Sequence, residues 1–94
     1  MRVRTLKETS NELKLEVEGI GHTLCNLLQK RLLEDERVDL AGYDIPHPLG
    51  SISLIYVRTK GKSRPQEALL RAIKKSREIN ESLRKELEKA LKKA

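Results

Sequence analysis

The side chains with the clearest chemical potential in this sequence are two histidines and one cysteine. His22 and Cys25 are three residues apart, so they would lie on one face of a helix, and His47 follows near Asp44. Imidazole, thiolate and carboxylate groups are the usual zinc ligands. Structural zinc sites usually contain two closely spaced ligand pairs, however, and only His22 and Cys25 form such a pair here. The sequence therefore predicts no metal site.

Cys25 also raises the question of nucleophilic catalysis, because His22 could act as its base. The neighbouring residues favour a structural role, since Cys25 lies beside the leucines of a predicted helix and is typical of a small buried hydrophobe. We expect His22 to cap the start of that helix. The Gly-Ile-Gly run before the helix lacks the third glycine and the later acidic residue of a dinucleotide-binding loop. We therefore predict no catalytic residue and no cofactor.

The composition indicates one small domain with a thin core. The chain has 94 residues, of which 37% are hydrophobic and 36% charged, and it contains two tyrosines but no phenylalanine or tryptophan. A single domain over residues 1–94 must build its core from Leu, Ile, Val and Ala, and a domain of this size buries only about 60–65% of its unfolded surface. We expect a partner to cover further apolar area.

Charge and cysteine content limit the function classes and the cellular compartment that we expect for this protein. Residues 1–59 carry 8 basic and 9 acidic side chains, whereas residues 60–94 carry 12 and 5, so the net charge of +6 arises from the last third of the chain. A small basic α+β nucleic-acid-binding protein is therefore an alternative function. One cysteine permits no internal disulfide, and no apolar run approaches the roughly 20 residues that span a bilayer. We expect a soluble, cytoplasmic protein without a signal peptide.

Apolar periodicity predicts two strands and a helix in the first half of the chain. Leu13, Leu15 and Val17 alternate with charged residues, which is the pattern of a half-buried strand. A weaker alternation over residues 1–7 predicts that the two segments form a hairpin. After Gly21 the apolar period becomes that of a helix, with a face formed by Leu24, Leu27, Leu28 and Leu32.

A second strand pair and a long helix are predicted in the second half. Residues 38–45 are extended, and the strand that begins after Gly50 carries apolar residues on both faces, so we expect it to be central. Ser63 and Gln66 have the spacing of a capping box, which predicts a helix with Pro65 in its first turn. Because no glycine or proline follows, this helix could run for about 27 residues, or about 40 Å.

The order of these elements, β-β-α-β-β-α, predicts an α+β fold. It would contain a four-stranded antiparallel sheet with two helices on one face and a long C-terminal helix. Strands of about six residues cover only about 20 Å of helix, so we expect no sheet beneath the half beyond Asn80. Its apolar residues Leu83, Leu87 and Leu91 would then need another surface to bury them.

The spacing of small and apolar residues on this helix predicts a seam that binds a partner. These residues are alternately four and three positions apart, which is the spacing of coiled coils. An amphipathic helix on its own sheet is the simpler interpretation for most helices, but the length of this one favours a partner. Together with Asn26 and Leu28 of the first helix, the predicted interface contains Leu69, Ile73, Ser76, Asn80, Leu83 and Leu87.

The basic residues of the same helix could instead form a stripe that binds phosphate groups. Three pairs with an acid four residues before a base favour a solvated face: Glu67–Arg71, Glu81–Lys85 and Glu88–Lys92. Aromatic side chains, on which nucleic-acid bases could stack, do not occur in this helix. We predict no sequence-specific contact with nucleic acid and no membrane contact.

Two groups of residues resemble a known family. The first group contains Glu18-Gly19, His22-Thr23-Leu24 and Asn26-Leu27-Leu28, and the second contains Ala41-Gly42-Tyr43 and Pro46-His47-Pro48-Leu49. In this order, the two groups resemble the archaeal subunit L family of DNA-directed RNA polymerase. The eukaryotic counterparts of this family are the small alpha-like subunits of the nuclear polymerases. The resemblance covers nearly the whole chain.

This resemblance implies an assembly subunit without an active site, within a polymerase that is a nucleotidyltransferase. Such a subunit pairs with the larger, D-type alpha-like subunit of archaeal polymerases, and the pair scaffolds the catalytic subunits for transcription. The arrangement is similar to the pairing of two alpha N-terminal domains in bacteria. In this family the two helices of each partner pack against one another, so the resemblance also implies a heterodimer.

Three positions depart from the family pattern. Ile20 and Gly21 occur where acidic residues are common, and Cys25 occurs where glycine or alanine is usual. The first change removes any helix-start contact that needs a carboxylate, whereas the cysteine tightens packing. We expect Asn26 to face the partner. His47 either contacts a neighbouring subunit or serves as a turn residue, and the sequence leaves both interpretations open.

Overall fold

Four strands and three helices follow one another in a computed structural model, which describes residues 3–46, 51–77, 79 and 81–92. In chain order they are β1 (Val3–Glu8), β2 (Glu12–Glu18), α1 (His22–Leu33), β3 (Val38–Asp44), β4 (Ile52–Thr59), α2 (Pro65–Lys75) and α3 (Glu81–Lys92). The strands form one antiparallel sheet in the order β1-β2-β4-β3, which confirms the predicted α+β class. In the described ranges, no helix has both the length and the apolar character needed to cross a membrane.

The sheet buries the face that the alternation in β2 predicts. Leu13, Leu15 and Val17 are at most 1% exposed, and Ile55 and Val57 of β4 are buried beside them. β4 pairs with β2 on one side and with β3 on the other, so its predicted central position is confirmed. The core lies between this face of the sheet and the helices.

α1 packs on the sheet with a face that is shifted from the predicted one. Its buried residues are Cys25, Leu28 and Leu32, which are three and four positions apart. Leu24 and Leu27 of the predicted stripe are only partly buried. Cys25 is the first buried residue of this face, so its prediction as a small buried hydrophobe is confirmed.

The starts of α1 and α2 lack the predicted local caps. The N-cap of α1 is Gly21, and no side-chain hydrogen bond caps this helix, so the prediction that His22 caps it is wrong. Pro65 occupies the first turn of α2 as predicted. The prediction of a capping box is wrong, because the side-chain amide of Gln66 donates instead to Glu8 Oε1 in β1, at 2.5 Å. A tertiary hydrogen bond has replaced a local one.

The last third of the chain forms two helices instead of one. α2 ends at Lys75, and Ser76 has φ −92° and ψ 91°, which is an extended rather than a helical conformation. α3 then returns over the molecule and packs against α2 and β1. The prediction of one continuous C-terminal helix is therefore wrong for the free chain, and the observed order is β-β-α-β-β-α-α.

Folding back gives the apolar face of α3 a surface within its own chain. Ile79, Leu83, Leu87 and Leu91 are between 1% and 7% exposed. The expectation that this segment has no sheet beneath it is wrong, because α3 contacts the edge strand β1. The burial of these four side chains offsets the helical hydrogen bonds that are lost at the break.

Candidate functional site

The predicted interface residues lie mostly in the chain's own core. Those that are at most 7% exposed are Leu28, Leu69, Ile73, Ser76, Leu83 and Leu87. Asn26 is exposed on α1, and Asn80 lies outside the described residues. In this conformation the seam residues that the structure describes are covered by other parts of the same chain, so solvent hardly reaches them.

The two halves of the predicted seam meet inside the molecule. Leu69 and Ile73 of α2 belong to the same apolar cluster as Leu83, Leu87 and Leu91 of α3. α2 and α3 pack against one another, so the halves face a common core instead of following each other along one helix. The coiled-coil spacing therefore serves intramolecular packing here.

Ser76 lies at the break between α2 and α3, and its polar atoms have local partners. Its Oγ donates to the carbonyl oxygen of Ala72 at 2.8 Å, a bond that serine can also make within an unbroken helix. Its backbone N–H donates to the carbonyl oxygen of Ile73 at 3.2 Å. The side-chain contact of Ser76 is thus compatible with either a helix end or a continuing helix.

Arg84 is the polar residue that α3 brings over the core. Its Nη2 donates to the carbonyl oxygen of Ser76 across 3.4 Å, which is a long hydrogen bond. Its Nε is buried and makes no hydrogen bond within the part of the chain that the structure describes. A buried donor without an acceptor costs about 1–3 kcal/mol. α3 therefore docks with good apolar packing and a poor polar contact.

α2 has a shorter polar contact with the segment that follows α1, although Arg71 Nη2, like Arg84 Nε, is buried without an acceptor among the described residues. Arg71 Nε donates to Asp35 Oδ2 at 2.9 Å, and the backbone N–H of Arg37 donates to Asp35 Oδ1 at 3.0 Å. Burial alone would raise the pKa of the Asp35 carboxyl, but these donors and the nearby positive charges lower the pKa below its ordinary value. The i,i+4 spacing predicted that Arg71 pairs with Glu67 on its own helix, and it gave no sign of this tertiary ion pair.

The two sequence motifs meet where α1 begins and β3 ends. The rings of His22 and Tyr43 lie edge to face with centroids 5.8 Å apart, and His22 Nδ1 is 3.4 Å from the Tyr43 hydroxyl oxygen. The Ser53 hydroxyl donates to the carbonyl oxygen of Ile20 at 3.0 Å and ties the turn before α1 to β4. Of the other motif residues, Thr23, Asn26 and Pro46 are exposed, Leu24 and Gly42 are partly buried, and His47 and Pro48 lie outside the described residues.

Cys25 and His22 do not form a reactive pair. The Cys25 side chain is 1% exposed, and burial raises the pKa of its thiol, so the thiol stays protonated at neutral pH. His22 is exposed and contacts Tyr43. Within the described ranges, no group of three or more His, Cys, Asp or Glu side chains could hold a metal ion. The motif region therefore packs and orients α1, and nucleophilic attack by Cys25 has no support.

The face of the sheet away from the helices is a second exposed surface. Ile52 is 42% exposed and Leu40 is 45% exposed on strands β4 and β3. A shallow cavity of about 290 Å³ lies on this side and is lined by Lys14, Gly42, Tyr43, Asp44, Leu54 and Tyr56. The alternation of Ile52, Leu54 and Tyr56 in the sequence is the signal for this face.

Comparison with known proteins identifies related sequences over most of the chain. Residues 12–86 match the family model described as the RNA polymerase Rpb3/Rpb11 dimerisation domain. The DNA-directed RNA polymerase subunit Rpo11 of Metallosphaera sedula is 41% identical over 88 residues, which cover 94% of this chain and 98% of that protein. Rpo11 of Saccharolobus solfataricus is 43% identical over 77 residues, covering 82% and 84%.

A solved structure has a similar fold. The crystal structure of DNA-directed RNA polymerase subunit L from Thermoplasma acidophilum matches with a TM-score of 0.71 at 32% identity, covering 98% of this chain and 90% of that chain. The span matched by the family model begins with β2 and ends within α3, so it contains the helices that cover the sheet.

Proposed function

This chain belongs to the RNA polymerase Rpb3/Rpb11 dimerisation-domain family, and we propose that it is an assembly subunit of DNA-directed RNA polymerase. In this function it pairs with the larger, D-type alpha-like subunit of archaeal polymerases, and the pair scaffolds the catalytic subunits. The assembled polymerase is a nucleotidyltransferase, to which this chain contributes no catalytic residue and no cofactor. Its place is the archaeal cytoplasm.

One observation carries this proposal: the match to a dimerisation domain extends over residues 12–86. That span contains β2 and β4, which form the buried face of the sheet, together with all of α1 and α2. A thin core built almost entirely from aliphatic side chains also favours a partner that covers more apolar area. Pairing through the helices is the function that agrees with both facts.

The pairing surface that we propose lies on α1 and α2. Asn26 is exposed on α1, and Leu33 at the end of the same helix is 55% exposed. Leu27 of α1 and Leu70 of α2 are partly buried. A partner helix that packs here would remove apolar surface from water. The seam residues beneath α3 would join this surface only if α3 moved.

The test is to express the chain with a larger archaeal alpha-like subunit and to measure the complex by native mass spectrometry. We expect a one-to-one complex. Leu33→Lys should weaken it, whereas Ile52→Lys, a matched control of similar exposure on the other face of the sheet, should not. Failure of the unmodified chain to form a complex, or equal weakening by both variants, would contradict the proposal.

The alternative function, binding of nucleic acid by a small basic protein, is not favoured by the comparisons. It depends on the exposed basic side chains Lys74, Lys75, Arg77, Lys85 and Lys89. For the isolated chain we expect a Kd for duplex DNA no tighter than about 10⁻⁶ M at physiological salt, measured by fluorescence anisotropy. Submicromolar binding under these conditions would return this alternative to consideration.

A further inference from the structure

The seam predicted from the sequence and the core found in the structure use the same side chains. The three-and-four spacing continues through Ser76 to Leu83 and Leu87, and no glycine or proline follows Pro65 to stop a helix. In the free chain the helix nevertheless breaks after Lys75, and the same leucines are buried internally. A side chain cannot fill its own core and a partner's groove at once, so the two arrangements exclude one another.

We propose that α3 is a self-cap, meaning that residues Glu81–Lys92 cover the partner seam of the free chain and leave it when the partner binds. This inference rests on the proposed function. In the capped state Leu83, Leu87 and Leu91 pack against α2 and β1. In the paired state α3 continues α2 as one helix, and the same leucines face the larger alpha-like subunit.

The partly buried side chain of Arg84 supports a cap that is able to leave. Its Nε lies away from solvent without an acceptor among the described residues, and its Nη2 reaches Ser76 only across 3.4 Å. When α3 swings out, water can satisfy these donors, so the polar contact favours the open state while the leucines favour the capped state. At α3 these two effects oppose one another.

The side-chain contacts of α2 support the same division. Within the described residues, the hydrogen bonds Gln66–Glu8 and Arg71–Asp35 tie α2 to other elements at 2.5 and 2.9 Å, shorter than the 3.4 Å bond of Arg84, although Arg71 Nη2 is also buried without an acceptor. α2 would therefore stay on the sheet when α3 leaves. Ser76 does not oppose the movement, because its Oγ bond to Ala72 also fits an unbroken helix.

The first experiment measures the distance between spin labels on the full chain, using Glu67→Cys and Lys89→Cys in a Cys25→Ala background. Both label sites are exposed. In one continuous helix these positions are about 33 Å apart, since each residue adds about 1.5 Å. We expect a shorter distance in the free chain and about 33 Å after the larger alpha-like subunit is added.

Three results of this experiment would count against a proposal. An unchanged short distance in the complex would overturn the self-cap while leaving the proposed function intact. A distance of about 33 Å in the free chain would also overturn the self-cap. Absence of any complex by native mass spectrometry would instead contradict the proposed function, and the free-chain experiment that follows would still decide whether α3 is held weakly.

The second experiment compares Arg84→Met with the matched control Lys85→Met. Arg84→Met keeps an unbranched side chain but removes the buried Nε, whereas Lys85 is exposed on the same helix. We expect hydrogen exchange of the α3 amides to slow at least about fivefold in Arg84→Met and not in Lys85→Met. Association with the partner should slow by the same factor, because the open fraction falls. Equal exchange in both variants would overturn the self-cap.

Discussion

The α1–α2 layer and α3 each contain fully buried leucines, yet they are held by different kinds of contact. Leu28 of α1 and Leu87 of α3 are each 1% exposed. α2 is also tied to β1 through Gln66 and to the segment after α1 through Arg71, at 2.5 and 2.9 Å. The side-chain hydrogen bond that Arg84 of α3 makes is longer, at 3.4 Å.

This difference shows that apolar burial and structural specificity are separable. Apolar burial has no preferred direction, so a leucine that leaves one apolar surface for another of equal area loses little. A hydrogen-bonded or ion-paired side chain has a particular partner and geometry, and it costs free energy when that partner is removed. The α1–α2 layer is thus the permanent part of the helical surface, and α3 is the part that a partner can replace.

The largest expected effect comes from removing α3. A chain that ends at Asn80 should keep its sheet, α1 and α2, but it should lose most of its affinity for the larger alpha-like subunit. Three leucine contacts of about 1.5–3 kcal/mol each are lost if they are fully buried in the heterodimer. The same leucines are already buried in the free chain, so the free energy of undocking α3 offsets part of this sum. A net loss of half of it weakens binding by about two to three orders of magnitude, since about 1.4 kcal/mol is a factor of ten. Circular dichroism and a pull-down on the same preparation check both statements.

A truncated chain that remains folded and binds with unchanged affinity would break the comparison, because α3 would then have no role in pairing. Loss of the whole fold in the truncated chain would also contradict the comparison. In that case α3 would be as essential to the core as α1, and the distinction between a permanent and a replaceable helix would fail.

The next effect compares two leucines of equal burial. Leu28→Ala should lower the free energy of unfolding by about 2–5 kcal/mol, because the cavity lies where sheet and α1 meet. Leu87→Ala should cost less, because α3 can detach while the rest stays folded, so the loss cannot exceed the free energy of docking α3. Urea unfolding measures the first quantity, and hydrogen exchange of the α3 amides measures the second. Equal losses in global stability would contradict the comparison.

A smaller effect is expected at the hydrogen bond between α2 and β1. Gln66→Ala should lower stability by about 0.5–1.5 kcal/mol, since it removes one hydrogen bond and leaves the exposed Glu8 to water. Glu86→Ala, at an exposed position of α3, is the matched control and should change stability by no more than about 0.5 kcal/mol. Thermal unfolding of both variants checks this, and a Gln66 variant as stable as its control would show that this contact does not anchor α2.

The smallest effect is the acid sensitivity of the ion pair between Asp35 and Arg71. Because the pKa of Asp35 is lowered by folding, its contribution is complete above the unfolded value of about 3.9 and disappears as pH falls through the folded value. Asp35→Asn should therefore be less stable at pH 7, by up to about 1 kcal/mol, and lose less stability towards pH 2. Urea midpoints at both pH values measure this. The exposed control Asp44→Asn should behave like the original chain, and an Asp35 variant that did the same would contradict the prediction.

The architecture was largely predictable because its signals are local. Alternation in β2 identified the buried face of the sheet, and the change to a helical period after Gly21 located α1. The residues of the two motifs, from His22 to Pro48, indicated the family that the comparisons confirm. Each of these signals depends on residues that are close in sequence and therefore does not require the fold to be known.

Side-chain pairing was less predictable, because several partners compete for each polar group. Gln66 could have formed a local hydrogen bond at the start of its helix, but its side-chain amide donates to Glu8 of β1 instead. Arg71 lies one turn from Glu67, but it forms its ion pair with Asp35. Hydrogen bonds form only at contact distance, and water and salt weaken the attraction between separated charges, so the choice of partner depends on which groups the fold brings together. The predicted interface residues remain a prediction for the same reason, since a partner's groups are also involved.

The sequence alone determined that the residues of α2 and α3 are helical and carry an apolar face, since propensity and spacing are properties of neighbouring residues. Only the tertiary structure decided that this face would break at Ser76 and turn inward. The physical reason is that an apolar face requires burial but does not specify against what. In the free chain, α2 and β1 supply the nearest surface, so Leu83, Leu87 and Leu91 pack there.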